Sequence, residues 1–387
     1  MTRAADSTTR FSDASILEEG DGNVVLFRPH VPAAASAAVT EVLQSRWIGQ
    51  GPRVELFEQR LTQRLGKPVV AVNSGTSALH LSYLLAGLQS GDEVLTPVFT
   101  CTATNIPMLY EGLRPVFVDI EAESMTIDLE DAERKVGPKT RAIVVVHYGG
   151  YVVDMDAVHD FAQAHDLVVI QDAAQALGGS WAGNALESYS SFVAYSFQAI
   201  KHITTGDGGA VALPDVDLVE PCKRLRWFGI DRSAKQTGTW NNRIWEVGYK
   251  YQMTDIEAAL GLAGLDELDM VLHTRRKLMQ SYLEGIPDSE SLRVIGRPSA
   301  TNGHAAWLVT IASPKRREIH DRLRDAKIES AQVHFRNDKY EIFEGLSTPC
   351  PAMDSLEDEY LVLPLHTKMT TSDVERIVDV VLDAADS

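Results

Sequence analysis

Cysteine is scarce in this chain of 387 residues: Cys101, Cys222 and Cys350 are odd in number and widely separated. That excludes a disulfide framework and any recognisable zinc spacing, so no metal site is expected. Cys101, after Thr100, reads as a small core residue, with a reactive thiol as the alternative. Long apolar runs are missing too. The stretch VVLFRPHV is broken by charge and proline, and nothing reaches the length that spans a bilayer. Positive charge is in the minority, with 36 Lys and Arg against 54 Asp and Glu and a formal net charge of −18. This argues against nonspecific binding to nucleic acid or to an anionic membrane. A few local cations still suffice to bind an anionic small molecule. The opening MTRAADSTTRFSDASILEEGDG lacks the apolar centre of a secretory signal, and a cytoplasmic location is the expectation. No internal repeat or low-complexity tract stands out.

Hydrophobic residues make up 44% and charged residues 23%, the balance of an ordinary globular protein. The length allows a large core plus a second, smaller unit. Residues 1–25 are polar, acidic and aperiodic, and are expected to form a mobile arm. The segment from Val31 to Trp47 suits a helix, and ELFEQRLTQRLG a second one closed by Gly66. From PVVAV onward, short apolar runs alternate with helical segments: DEVLTP, RPVFVDI, RAIVVVH and LVVIQDA are strands, with helices between. This predicts an α/β fold, a mostly parallel sheet flanked by helices on both faces. FVAYSF and GAVAL have no helix between them and predict one antiparallel excursion. Past residue 265 the texture changes to a long helix followed by short strands and terminal helices. The expected division is a large domain over 26–265 and a smaller α+β C-terminal domain over 266–387.

Open parallel sheets bind ligands beyond the carboxyl ends of their strands, and four groups of residues lie there. Ser74, Gly75 and Thr76 follow PVVAV, where glycine and the free amides of a helix start suit an anion. An N-cap with a glycine turn is the plainer reading of the same residues. Asp172 ends LVVIQDA. A carboxylate there needs a cation or hydrogen-bond donors, and a protonated pyridine nitrogen would serve. Taken alone, Asp172 reads equally as a helix N-cap. Gln175, three residues on, is within reach of a ring hydroxyl. Ser196 and Lys201 lie in SFQAIKHITTGDGG, where a serine suits phosphate and a partly desolvated amine suits an aldehyde. Phe99 reads either as a ring stacked on a flat cofactor or as core.

The ordered set VAVNSGTSALHL, GDEVLTPVFT, RPVFVDI, VIQDAAQALGG, SFQAIKHITTGDGGAV and GYKYQMTDIEAALGL resembles the DegT-type sugar aminotransferases. These are fold-type-I enzymes that use pyridoxal phosphate (PLP). The resemblance implies that Lys201 forms the Schiff base and Asp172 partners the pyridine nitrogen. It places Gln175 near the ring hydroxyl, Phe99 against the ring, and Gly75, Thr76 and Ser196 on the phosphate. It implies a homodimer with shared active sites, in which the GYKY segment of the neighbour reaches the phosphate. There this chain has Lys250 where many relatives have asparagine. A dehydratase branch has histidine in place of the Schiff-base lysine; here that position is Lys201, with His202 next.

The activity so implied moves an amino group from glutamate to a nucleotide-linked keto-deoxysugar, in amino-sugar biosynthesis. Arg53, Lys250, Arg336 and Lys339 are the candidate cations for a diphosphate. His334 and Arg336 are the candidate substrate-binding residues, a surface charge cluster being the plainer reading. A keto-cyclitol aminotransferase and a non-catalytic PLP-binding regulator are the alternatives.

Overall fold

The apolar runs become the strands β1 (Val69–Val72), β2 (Glu93–Pro97), β4 (Arg114–Val118), β5 (Thr140–Val146), β6 (Val168–Asp172), β9 (Phe192–Ser196) and β10 (Gly209–Ala212), and the two-residue strands β3 (Phe99–Thr100), β7 (Ser180–Trp181) and β8 (Asn184–Ala185) lie between them. A computed structural model describes residues 20, 22–231, 244 and 246–387. Of the arm expected over 1–25, residues 1–19 and 21 lie outside the described residues. Val24 is buried and bridges to Ile328.

Seven strands form one sheet in the order β1-β10-β9-β6-β5-β2-β4. All neighbours from β9 to β4 are parallel, and β10 runs antiparallel to both β1 and β9. The predicted antiparallel excursion is therefore β10, inserted between β1 and β9. Both faces of the sheet are covered. One packs against the Pro52–Leu65, Met155–Ala164 and Asp255–Gly285 helices, the other against the Gly75–Leu85 and Val219–Leu225 helices. Full burial on both faces is why these strands read as unbroken apolar runs rather than alternating ones.

The Asp255–Gly285 helix opens on a capping box, in which Thr254 and Glu257 each satisfy the other's backbone N–H. Its first residue, Asp255, accepts from the amides of Gly51, Arg53 and Val54, which ties it to the start of the Pro52–Leu65 helix. The far half of the long helix contributes Leu278, Met279 and Tyr282 to a second core. That core includes a three-stranded antiparallel sheet of β11 (Arg293–Ile295), β13 (Val309–Ala312) and β15 (Tyr360–Leu363), and the Thr371–Asp386 helix. Two smaller pairings matter for the site. β12 (Asn302–Gly303) adds to β7 and β8, and β14 (Phe335–Arg336) pairs with β3, setting Arg336 opposite Phe99. Among the described residues no helix is long and apolar enough to cross a membrane.

Candidate active site

The parallel strands β1, β2, β5, β6 and β9 end on one edge of the sheet, so residues distant in the chain converge there. Asp172, the last residue of β6, is 5% exposed. The next regular element is a strand, so Asp172 caps no helix. Its Oδ2 accepts from Thr104 Oγ1 at 2.7 Å and its Oδ1 from the Ala174 amide at 3.1 Å. Burial raises its pKa, against the pull of those hydrogen bonds and of Lys201. A cation added beside it would favour the anion.

Lys201 lies in the turn after β9, its amide donating to Gln198 O at 2.9 Å. Its Nζ is 3.7 Å from the centre of the Trp307 ring and has no hydrogen-bond partner among the described residues. Burial lowers its pKa to about 8, while Asp172 and Cys101 pull it back up. An amine at that value is neutral in roughly a tenth of molecules at pH 7, far more than an ordinary lysine. Trp307 is itself fixed: its indole N–H donates to Ile200 O at 3.0 Å, and its ring stacks on Phe27 at 5.7 Å.

The third part is a close meeting of three backbone segments. A Cβ on Gly75 would lie 2.9 Å from Ser196 Cβ, and one on Gly209 would lie 2.4 Å from Ser74 O. Only residues without a side chain allow this approach. Ser74 Oγ accepts from the Ser77 amide at 3.0 Å and so caps the Gly75–Leu85 helix. The first amides of that helix, Gly75 and Thr76, have no intrahelical acceptor and carry the positive end of its dipole. A free amine, a buried carboxylate and an anion cradle thus share one strand edge. These residues fit PLP, which needs an amine for its aldehyde, an anion for its ring nitrogen and donors for its phosphate.

The profile of the DegT/DnrJ/EryC1/StrS aminotransferase family matches residues 30–382. The chain belongs to this family. It is an aminotransferase, and its cofactor is pyridoxal phosphate. Solved structures agree. AtS13 of Actinomadura melliaura is 36% identical, with a TM-score of 0.90 over 94% of this chain and 100% of its own. The sugar aminotransferase CalS13 of Micromonospora echinospora is 33% identical, with a TM-score of 0.88 over 93% and 99% of the two chains. Spr1654 of Streptococcus pneumoniae, solved in a PLP form, is 27% identical, with a TM-score of 0.86 over 94% and 99%.

Other expected residues of the aminotransferase fall into two sets. Gln175 and His334 belong with the site. Gln175 Oε1 accepts from the Gly149 amide at 2.6 Å, and its Nε2 donates to His334 Nε2 at 2.9 Å. That bond leaves the proton of a neutral His334 on Nδ1. Burial, then the Lys201 charge, lowers the His334 pKa to about 3, so the ring stays neutral. It stacks on Trp307 at 6.2 Å.

Arg336 is placed differently. It is buried and pairs with Asp338 at 2.7 Å, with Asp354, and with Glu357 at 3.5 Å. Its guanidinium is thus occupied by carboxylates of its own chain. Arg53 pairs with Glu41 at 2.7 Å and Lys339 with Glu357. Phe99 is 0% exposed, edge-on to Tyr148 at 5.0 Å and Tyr360 at 5.2 Å; its ring has no open face. Lys250 is exposed, its Nζ 5.4 Å from the Phe228 ring. Its carbonyl accepts from Asn73 Nδ2 at 3.3 Å, so the GYKY backbone braces its own chain's cradle.

Two residues in the site had no sequence prediction. Thr104 stands one helical turn beyond the strand end, and its only signal is a hydroxyl in TCTATN. Trp307 comes just before β13, where AAWLV reads as the start of a buried strand.

Proposed function

We propose that this aminotransferase moves an amino group from glutamate to the ketone of a nucleotide-linked deoxysugar. The observation that carries the catalytic part is the desolvated amine of Lys201, which has no hydrogen-bond partner among the described residues and lies near enough to the buried carboxylate of Asp172 to feel its charge. Support for a sugar acceptor comes from CalS13, a sugar aminotransferase by name. When bound, PLP supplies an aldehyde that bonds amines and a ring that draws electrons from the bonded carbon. Lys201 Nζ would hold that aldehyde at rest. Once freed by the donor's amine, the Lys201 Nζ would be the base that takes the proton from the donor's α-carbon and the acid that returns it. Asp172 keeps a proton on the ring nitrogen. The Gly75 and Thr76 amides and the Ser196 hydroxyl bind the phosphate. Gln175, steadied by His334, lies toward the ring hydroxyl. We further propose a homodimer in which the exposed Lys250 reaches the neighbour's phosphate as a point charge.

One observation favours a second acceptor, a keto-cyclitol without a diphosphate. Arg53, Arg336 and Lys339 are all paired with carboxylates of this chain. A product assay with glutamate and a panel of nucleotide keto-sugars and keto-inositols decides between the two. Amination of the nucleotide sugars is expected. Amination of the cyclitol alone would replace the first reading.

A further inference from the structure

The turn from His304 to Trp307 brings the indole ring to Lys201, and side chains take all four of its carbonyls. Arg276 Nε donates to His304 O at 2.9 Å, and His202 Nε2 donates to Ala305 O at 2.8 Å. Arg275 Nη1 takes the other two, Ala306 O at 3.5 Å and Trp307 O at 3.2 Å. The amides are held as well. Those of Ala305 and Trp307 donate to Gly150 O and Gly149 O, and that of Ala306 donates to His304 Nδ1 at 2.8 Å. Ala306 has a φ of 54°, in the left-handed region that a residue with a Cβ adopts only when its surroundings impose it.

Arg275 is the costly member of this arrangement. It is 3% exposed, and no carboxylate pairs with it among the described residues. Its Nε is buried without a hydrogen-bond partner. An unpaired buried cation is expensive, and an apolar side chain of similar volume would fill the place at less cost. Stability alone therefore does not account for an arginine here. What the guanidinium does is join the turn to the Leu365 carbonyl, to which Nη1 also donates at 2.8 Å. Beyond the turn, the Trp307 indole N–H holds Ile200 O at 3.0 Å and its ring lies 3.7 Å from Lys201 Nζ. We infer that Arg275 is a positioning residue for the Lys201 amine, acting through the His304–Trp307 turn. The inference rests on the PLP site proposed above.

A second route from Arg275 to Lys201 is its charge, which adds to burial in lowering the lysine's pKa. A double-mutant cycle of Arg275→Met with Trp307→Phe separates the two routes. The readout is the rate of PLP capture by the cofactor-free full chain, at about pH 9, above the Lys201 pKa of about 8. Arg275→Met is expected to slow capture at least about ten-fold beside Trp307, and less than about three-fold beside Phe at that position. Equal slowing in both backgrounds means that the charge acts without the turn, and overturns the inference. Capture at the wild-type rate by folded Arg275→Met overturns it as well. Should Arg275→Met fail to fold, Arg275→Lys goes through the same cycle, because it keeps the charge but loses the planar fork. It is expected to slow capture at least about three-fold, again only beside Trp307; no slowing, or equal slowing in both backgrounds, counts against the inference. Borohydride reduction of the loaded wild-type chain keeps the two readings apart. An adduct mapped to Lys201 leaves the PLP site standing whatever the cycle gives, and its absence removes the site reading and this inference together.

Discussion

The Nζ of Lys201 lies 3.7 Å from the centre of the Trp307 ring, and the indole N–H of Trp307 donates to the carbonyl of Ile200, the residue before that lysine. Residues far apart in the chain thus fix both the backbone and the tip of the reactive side chain. Trp307 is 1% exposed and stacked on both Phe27 and His334. Trp307→Ala should cost about 3–5 kcal/mol of stability, read by chemical denaturation. Trp307→Phe keeps a ring but loses the hydrogen bond, and should cost about 1 kcal/mol while slowing PLP capture. A Trp307→Phe protein that captures PLP at the full rate would show that the hydrogen bond positions nothing.

The low pKa of Lys201 sets a pH profile. Only the neutral amine attacks an aldehyde, so the rate of PLP capture by cofactor-free protein should rise with pH. The midpoint should fall at about 8, below the ordinary lysine range, because burial disfavours the ammonium form. Stopped-flow absorbance measures this directly. A midpoint above 10 would mean that the amine is hydrated like a surface lysine. Lys201→Ala should abolish capture at every pH.

Asp172 and the glycine cradle are separable. Asp172→Asn keeps the Thr104 contact possible and should retain some PLP, yet lose at least about 100-fold in transfer rate, since a neutral amide no longer holds the ring nitrogen's proton. Single-turnover rates with glutamate check it; a wild-type rate would reduce Asp172 to a structural role. Gly209→Ala acts on the cradle. Its Cβ would sit 2.4 Å from Ser74 O, and overpacking of this kind costs about 1–3 kcal/mol. Equilibrium dialysis should show PLP affinity falling in step.

Arg336 should prove structural. It pairs with Asp338, itself buried, and removing one member of a buried pair costs about 3–5 kcal/mol. Arg336→Met should lower the denaturation midpoint, with the KM for the acceptor unchanged in protein that remains folded. A raised KM at unaltered stability would return Arg336 to the substrate site. His334→Ala makes the contrast, because it frees Gln175, proposed to lie toward the cofactor ring, and should weaken PLP retention.

Strand order shows how far sequence reasoning reached. FVAYSF and GAVAL lacked a helix between them, and that absence was enough to foresee the reversed β10. Asp172, Lys201 and Gly75 were legible because each follows an apolar run, and strand ends in a parallel sheet collect on one edge. The Leu129–Lys135 helix, by contrast, carries only two buried residues, Asp131 and Ala132. It left no apolar periodicity to find.

The amino-acid order by itself determined the α/β sheet, the family and the chemistry gathered at the strand ends. Those depend on local patterning and on short motifs. Tertiary structure decided which polar groups are free to act. Arg336 and Lys201 look equally available as letters, but one meets Asp338, Asp354 and Glu357 and the other meets the face of Trp307. Phe99, read from the sequence as a ring for a flat cofactor, is closed in by Tyr148 and Tyr360. A charge or a ring is made available or spent by partners remote in the chain, and only folding brings those partners together.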